Sequence, residues 1–328
     1  MKPVAATDLI TIDRLPGAGA GTLADDVRRG LAHPLKELPP KHFYDARGAE
    51  LFDRICALPE YYPTRTERAV LEEHAAAIAA ATGAQELLEL GSGTAGKTRL
   101  LLTALRDHGT LRRYLPVDVT AEMIERTAAE LAEEYPGLEV HGIVADFDRH
   151  LGLLPASRGP RIVAFLGGTV GNFAPGPRRR FLAAVAATLG PHDHLLLGTD
   201  LVKDVAVLEA AYDDAAGVTA AFNRNVLAVI NRELGADFDL AAFDHVAFYD
   251  REHEWIEMRL RARGSQRVSI PGAGVTAEFA DGEDLRTEIS AKFTAERIRA
   301  DLAAAGLRPA ATYTDPDAWF ALTLARRA

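Results

Sequence analysis

The feature that most constrains this chain is a regular alternation of short apolar segments with helical ones between residues 86 and 201. ELLELG (86–91), RRYLPVDV (112–119), LEVHGIVAD (138–146), RIVAFLGGT (161–169) and HLLLGTDL (194–201) read as strands too apolar to leave a face in water. TRLLLTALRDHG (98–109) and EMIERTAAELAEEY (122–135) separate the first three, and a helix around RRRFLAAVAATLG separates the last two. Such alternation implies a parallel sheet covered on both faces, because each helix carries the chain back to begin the next strand. An alanine-rich helix precedes the series, with Thr64 and Glu67 at capping-box spacing and Gly83 as its stop. From about 203 the rhythm breaks into a helical stretch. Polar-alternating segments follow, such as EWIEMRLRAR and RVSIPGAGVTAEFA, which read as half-exposed antiparallel strands. The rhythm resumes with TAERIRADLAAAGL (294–307), and PAATYTD and WFALTLARR supply a closing strand pair. The expected fold is α/β: a Rossmann-like seven-stranded sheet with a second, smaller α+β domain. The first domain takes 67–202 plus 292–328, the second 1–66 plus 203–291.

The first strand runs into LGSGTAGKT (90–98), a turn that satisfies more than one ligand-binding spacing. From Gly91 it fits G-x-x-x-x-G-K-[ST], the phosphate loop of nucleoside triphosphatases. Gly91, Gly93 and Gly96 also fit G-x-G-x-x-G, the dinucleotide fingerprint. A third reading is the glycine-rich turn that holds S-adenosylmethionine. All three rest on one device, in which glycines permit a tight turn and the next helix points free N–H groups at the ligand. A phosphate loop would set Lys97 on the phosphates and Thr98 on Mg²⁺, with Asp200 as the available second anchor. A dinucleotide fold wants an acid about twenty residues on, and Asp118 comes late for that.

The S-adenosylmethionine reading uses more of the local residues. Glu89 stands before Gly91 and Gly93 in an E-x-G-x-G arrangement. Asp118 closes the second strand, where it can accept both ribose hydroxyls. Asp146 closes the third, with Phe147 beside it to pack on adenine. Lys97 becomes a partner for the cofactor's carboxylate. Taken singly, each acid is as readily a solvated loop residue. Three acids at the ends of successive strands converge on the crevice where open α/β sheets bind ligands. The loop is therefore read as an S-adenosylmethionine site.

A chain of 328 residues with a net charge of −10 is long enough for two cores and too acidic to favour a nucleic-acid partner. Cys56 stands alone, which removes both a disulfide framework and a cysteine-rich metal site. The N-terminal stretch lacks the apolar core of a signal peptide, and no apolar run is long enough to span a bilayer. The expectation is a cytoplasmic protein acting on small molecules, with no metal, nucleic acid, membrane or obligate protein partner.

Several longer runs point further. ELGSGTAGKTRLLL, FLGGTVGNF, LGTDLVKD, AYDDAAGVTAAFNRNVLAVINRELGADF, LRTEISAKF and, nearer the N-terminus, LPPKHFYDARGAELFDRI cover nearly the whole chain. Together they resemble the L-histidine Nα-methyltransferases of ergothioneine biosynthesis. The resemblance implies a class I methyltransferase sheet, a substrate-binding second domain, and three successive methylations of histidine's α-amine to hercynine. It assigns Glu288 and Ser290 to the imidazole, Asn172 and Tyr212 to the α-carboxylate, and Tyr61 to a further histidine contact. Tyr44 maps close to the amine, as the catalytic residue that aligns its lone pair, and Thr219 and Met258 map to the pocket wall. Beside the resemblance, Glu288 and Ser290 are two apart and so share one face of a strand. A carboxylate beside a hydroxyl can engage both ring nitrogens. Met258 alternates with Ile256 and Leu260, a spacing that suits a core residue equally well. Rival readings are a phosphate-loop kinase binding Mg-ATP, a non-catalytic module on the same fold, and a methyltransferase for another small amine.

Overall fold

A computed structural model describes residues 9–15 and 22–328. In chain order the elements are β1 (Ile10–Arg14), α1 (Leu23–Gly30), β2 (Lys36–Glu37), α2 (Ala46–Cys56), α3 (Tyr62–Thr82), β3 (Glu86–Leu90), α4 (Thr98–Asp107), β4 (Arg113–Asp118), α5 (Ala121–Glu134), β5 (Glu139–Val144), α6 (Phe147–His150) and β6 (Arg161–Phe165). They continue with α7 (Pro175–Thr188), β7 (His194–Asp200), α8 (Val205–Ala210), α9 (Val218–Leu234), β8 (Phe243–Asp250), β9 (Trp255–Ala262), β10 (Gln266–Ile270), β11 (Val275–Phe279), β12 (Asp284–Ala291), α10 (Ala295–Ala304), β13 (Leu307–Thr314) and β14 (Phe320–Arg327). Two compact units result. One takes the described part of 1–19 with 66–201 and 293–328, the other the described part of 20–65 with 202–292.

The first unit is built on a sheet of order β1-β5-β4-β3-β6-β7-β14-β13. Strands β1, β5, β4, β3, β6 and β7 run parallel, and β14 and β13 close the far side antiparallel. The chain builds outward from β3 to β4 and β5, then crosses back to β6 on the other side of β3. That reversal opens a crevice at the carboxyl ends of the central strands, and the glycine turn leaves β3 at this point. β3 and β6 are buried at every position, as their unbroken apolar character required. Leu87, Leu102, Leu131, Ile162 and Leu196 pack in one core that draws on helices and strands alike. Seven of the strands are those expected from the alternation.

The eighth, β1, corrects the placing of 1–66 wholly in the second domain. Ile10 to Arg14 pair in parallel register with Val140 to Val144 and cover what would otherwise be the open edge of β5. Asp13 secures the pairing by accepting from His141 Nε2 at 2.7 Å. A five-residue strand with two apolar positions and no helix attached leaves little periodic signal.

The second unit carries a four-stranded sheet of order β2-β12-β9-β8 and the separate hairpin β10-β11. The hairpin pairs Gln266 to Ile270 with Phe279 to Val275, which is the alternating segment of the sequence folded on itself. Helix α9 ends at Gly235, whose φ of 63° supplies the left-handed residue that terminates helices. Helix α2 begins at Asp45, whose side chain accepts from the N–H of Gly48. Among the described residues no helix is long and apolar enough to cross a membrane.

Candidate functional site

Gly91 and Gly93 take positive φ values of 72° and 49°, and Ala95 follows at 52°, so the chain reverses within a few residues of the end of β3. A non-glycine residue at Gly91 would be strained there, and a Cβ would stand 3.6 Å from the ring of Phe147. Asp118, at the end of β4, pins the turn: one oxygen accepts from the N–H of Gly93 and the other from that of Thr120, both at 3.0 Å. Asp146 follows β5, and Phe147 opens the short α6, packing edge-on against Phe165 and Phe181 at 5.4 and 5.9 Å. Asn172 closes a tight helical turn, Thr169 to Asn172, that Gly167 and Gly168 admit after β6 through their positive φ.

Glu89 departs from the role read in the sequence. Its two oxygens accept from the hydroxyls of Thr98 and Tyr114, each at 2.5 Å, and the side chain is buried. Burial pushes its carboxyl up to about 7, against the pull of those two hydroxyls and of Lys97. Glu89 therefore braces the glycine turn from beneath. The same bond counts against the phosphate-loop reading, because Thr98 is 1% exposed and turns its hydroxyl to this buried carboxylate beneath the glycine turn.

Lys97 is held by Glu67, whose second oxygen accepts from the N–H of Gly167 at 2.7 Å. Glu67 thus ties together the two glycine turns after β3 and β6. By spacing alone Glu67 is a helix cap. The available signal was its place on the apolar stripe of α3, three and four residues before the fully buried Val70 and Leu71.

In the second unit, β12 presents Glu288 and Ser290 on one face. Across the ladder Met258 lies opposite Glu288 and shares that face. Met258 is 2% exposed, so its side chain lies within the body of the unit. Tyr212 sits in the turn after α8 rather than on the helix the sequence suggested, and its hydroxyl meets Ser290 Oγ at 2.8 Å. Its carbonyl accepts from His245 Nε2 at 2.8 Å, while Asn223 donates to His245 Nδ1 at the same distance. Burial lowers the His245 pKa and keeps the ring in the neutral form those two bonds require. Tyr44, Phe52, Tyr61 and Tyr212 follow one another as edge-to-face rings, with centroids 5.5, 6.2 and 6.2 Å apart. Tyr44 also meets Phe222 of α9 at 5.6 Å, and Thr219 lies one turn earlier on that helix, its N–H donating to Asp214. Tyr44 is 45% exposed. Even so, desolvation of its phenol, with the charge of Glu288 second, holds its pKa well above the usual range. Desolvation does the same to Tyr61.

Glu288 itself is raised to about 7 by burial and drawn back down by Lys292. That lysine is fully buried and donates at 2.9 Å both to Tyr212 Oη and to Ser290 Oγ. The sequence signal for it is spacing, since Glu288, Ser290 and Lys292 continue the same two-residue step. Tyr44, Tyr61, Tyr212, Met258, Glu288 and Ser290 are thus gathered in one unit. Asn172 belongs to the other, with the glycine turn.

From residue 23 to 327 the chain matches a protein family described as histidine-specific methyltransferase, SAM-dependent. It belongs to that family. It is 55% identical to a histidine N-alpha-methyltransferase of Mycolicibacterium smegmatis, over 94% of this chain and 96% of that protein. It is 52% identical to the protein of the same name from Mycobacterium tuberculosis, over 95% and 97%. An ergothioneine biosynthesis protein 1 of Neurospora crassa is 32% identical over 72% of this chain and 29% of that longer protein.

The first unit suits the methyl donor of this methyltransferase family. Ser92 Oγ, in the glycine turn, is buried and has no hydrogen-bond partner among the described residues. No side chain caps the start of α4, and Arg99 and Leu100 give their N–H groups to the carbonyls of Ala95 and Lys97. Asp118 ends β4 and Asp146 lies just beyond the end of the neighbouring β5, where a nucleoside's hydroxyls and amine can be met. Among the described residues no cluster of histidine, cysteine, aspartate and glutamate has the makings of a metal site.

Proposed function

We propose that this chain transfers three methyl groups in succession from S-adenosylmethionine to the α-amine of L-histidine, giving hercynine as the first step of ergothioneine biosynthesis. The family and its relatives support the histidine substrate and the methyl donor. One observation carries the choice of acceptor within the chain. Glu288 and Ser290 stand side by side on β12, with Ser290 tied to Tyr212 and a row of aromatic rings alongside. A carboxylate acceptor and a hydroxyl two residues apart match the two ring nitrogens of an imidazole. A site with such polar groups rejects an amino acid that cannot pair with them, by as much as ~10⁴-fold.

S-adenosylmethionine supplies a methyl carbon activated by the adjoining sulfonium. Gly91 and Gly93 admit it to the turn, Asp118 takes the ribose hydroxyls, Asp146 and Phe147 take the adenine, and Lys97 takes the carboxylate. Glu89 holds the turn in shape. For histidine, Glu288 and Ser290 hold the ring, Asn172 and Tyr212 the α-carboxylate, and Tyr61, Thr219 and Met258 complete the wall. Tyr44 accepts a hydrogen bond from the amine in the first two transfers, while the nitrogen still carries an N–H, and so aligns its lone pair. A phenol is neutral near pH 7, and the role given to Tyr44 is to orient the amine rather than to remove its proton. The protein's main contribution is proximity, which brings reacting atoms to about 3–3.5 Å and replaces a bimolecular encounter. The amine must shed a proton before each attack. Partial burial beside a cation disfavours its charged form and assists that loss. A quaternary nitrogen has no lone pair, so transfer stops at three.

The test is mass spectrometry of purified protein with S-adenosylmethionine and a panel of free amino acids. Histidine alone should gain three methyl increments. Methylation of a different amine would retain the methyl donor and overturn the roles given to Glu288 and Ser290.

A further inference from the structure

Arg178 has no part in the reaction just described, and its setting is unfavourable for a cation. It is 1% exposed and stands in the opening turn of α7, where the helix dipole favours anions. Burial lowers its pKa from the ordinary arginine value, and the charge of Asp301 on α10 offsets this in part. Nε donates to Asp301 Oδ2 at 2.7 Å, and Nη1 donates to the carbonyl of Phe173 at 3.2 Å. Phe173 is the residue at which the tight turn Thr169 to Asn172 ends. Helix α7 therefore holds that exit twice, through Arg178 on the carbonyl and through Phe181, whose ring stacks on that of Phe173 at 4.9 Å. The entry to the turn is held by Glu67, which accepts from the N–H of Gly167 at 2.7 Å. Inside it the N–H of Gly171 donates to the carbonyl of Gly168 at 2.8 Å. The Asn172 amide makes no side-chain hydrogen bond among the described residues, so its direction is set by the backbone of this turn.

We propose that Arg178 is a positioning residue for recognition of the acceptor's α-carboxylate: by holding the Phe173 carbonyl it fixes the end of the turn and so the aim of Asn172. The proposal rests on the assignment of Asn172 to that carboxylate. It goes further in naming what gives the asparagine its direction. An amide N–H swung out of line with its acceptor loses most of its value as a donor, so the aim matters as much as the residue. Arginine suits the place because its planar fork sends donors in fixed directions, here one to α10 and one to the turn. A staple between α7 and α10 needs only Asp301. The bond to Phe173 is the part that a staple does not require.

The experiment compares Arg178→Met, Asn172→Ala and the double variant in the full chain. It reads the histidine KM, the S-adenosylmethionine KM, kcat, and the inhibition constant of histamine, which keeps the ring and amine of histidine but lacks the carboxylate. Arg178→Met keeps an unbranched side chain and removes the donors. It should raise the histidine KM by ~10-fold or more, the scale of a lost hydrogen bond to a charged group. The histamine inhibition constant, the S-adenosylmethionine KM and kcat at saturating histidine should stay within a few fold. In an Asn172→Ala background the same change should add little, because the group through which it acts is gone. Asp301→Asn keeps an acceptor for Nε and removes only the charge, so it should lower the urea midpoint and leave the histidine KM near wild type. Equal weakening of histidine and histamine, a parallel rise in the S-adenosylmethionine KM, or multiplicative losses in the double variant would each overturn the proposal and leave Arg178 a staple. Should Arg178→Met not fold, Arg178→Lys keeps a cation for Asp301 and loses the fork. An unchanged ratio of histidine KM to histamine inhibition constant in that variant would refute the positioning role. Normal histidine binding by Asn172→Ala would be a different result, withdrawing the assignment of Asn172 and the proposal with it. Failure of the wild-type protein to methylate histidine would remove the functional reading itself.

Discussion

Replacing Glu288 with glutamine tests whether this carboxylate is held poised for a ligand. In the folded protein without substrate, burial lifts its pKa from an ordinary 4.5 to about 7, with Lys292 resisting. The native state therefore binds this proton more tightly than the unfolded chain. The associated stability is fully present below pH 4.5 and is lost as the pH rises through 7. A difference of about 2.5 units at about 1.36 kcal/mol each sets a ceiling of about 3.4 kcal/mol, and partial solvent contact reduces it to about 1–3 kcal/mol. Glutamine does not titrate. The stability of Glu288→Gln relative to wild type should thus climb by about 1–3 kcal/mol between pH 5 and pH 8. Urea denaturation of both proteins across that range measures it directly. Glu89 is raised in the same way but is present in both proteins, so it cancels in the comparison. A relative stability that is flat with pH would show that Glu288 is not held in a desolvated site.

Tyr44→Phe should slow methyl transfer more than it weakens histidine binding, and single-turnover kinetics set beside calorimetric titration would separate the two. Equal losses in both, or none, would remove Tyr44 from the alignment of the amine. Glu67→Gln loosens the tie between Lys97 and the N–H of Gly167, and should weaken S-adenosylmethionine binding by ~10-fold or more by calorimetry. Gly198→Ala tests the same tie from the far side, because a Cβ there would stand 2.5 Å from Glu67 Oε1. Displacing that carboxylate should reproduce the binding defect and cost about 1–3 kcal/mol in thermal or chemical unfolding. A normal S-adenosylmethionine affinity in Gly198→Ala would separate Glu67 from the cofactor site.

The sequence determined the sheet. Strands β3 to β7 had to be central because each is apolar on both faces, and each is followed or preceded by a helix that can cover it. It also determined where the acids and glycines of the cofactor turn would fall, since strand ends in such a sheet point at a single crevice. The pair Glu288 and Ser290 was legible too, because a spacing of two fixes a shared face whatever the rest of the chain does. What the sequence could not carry was which polar atoms satisfy one another. Glu67 reads as a helix cap until folding buries it against Lys97 and Gly167, residues 30 and 100 positions away in the chain. Glu89 reads as a ligand for the cofactor until folding buries it beneath the glycine turn against Thr98 and Tyr114. Lys292 reads as an ordinary lysine beyond a strand until Tyr212 arrives from 80 residues away to share it with Ser290. Local periodicity encodes which face of an element turns inward. The partner of a buried charge is settled only when distant segments are brought within hydrogen-bonding distance and water is excluded from between them.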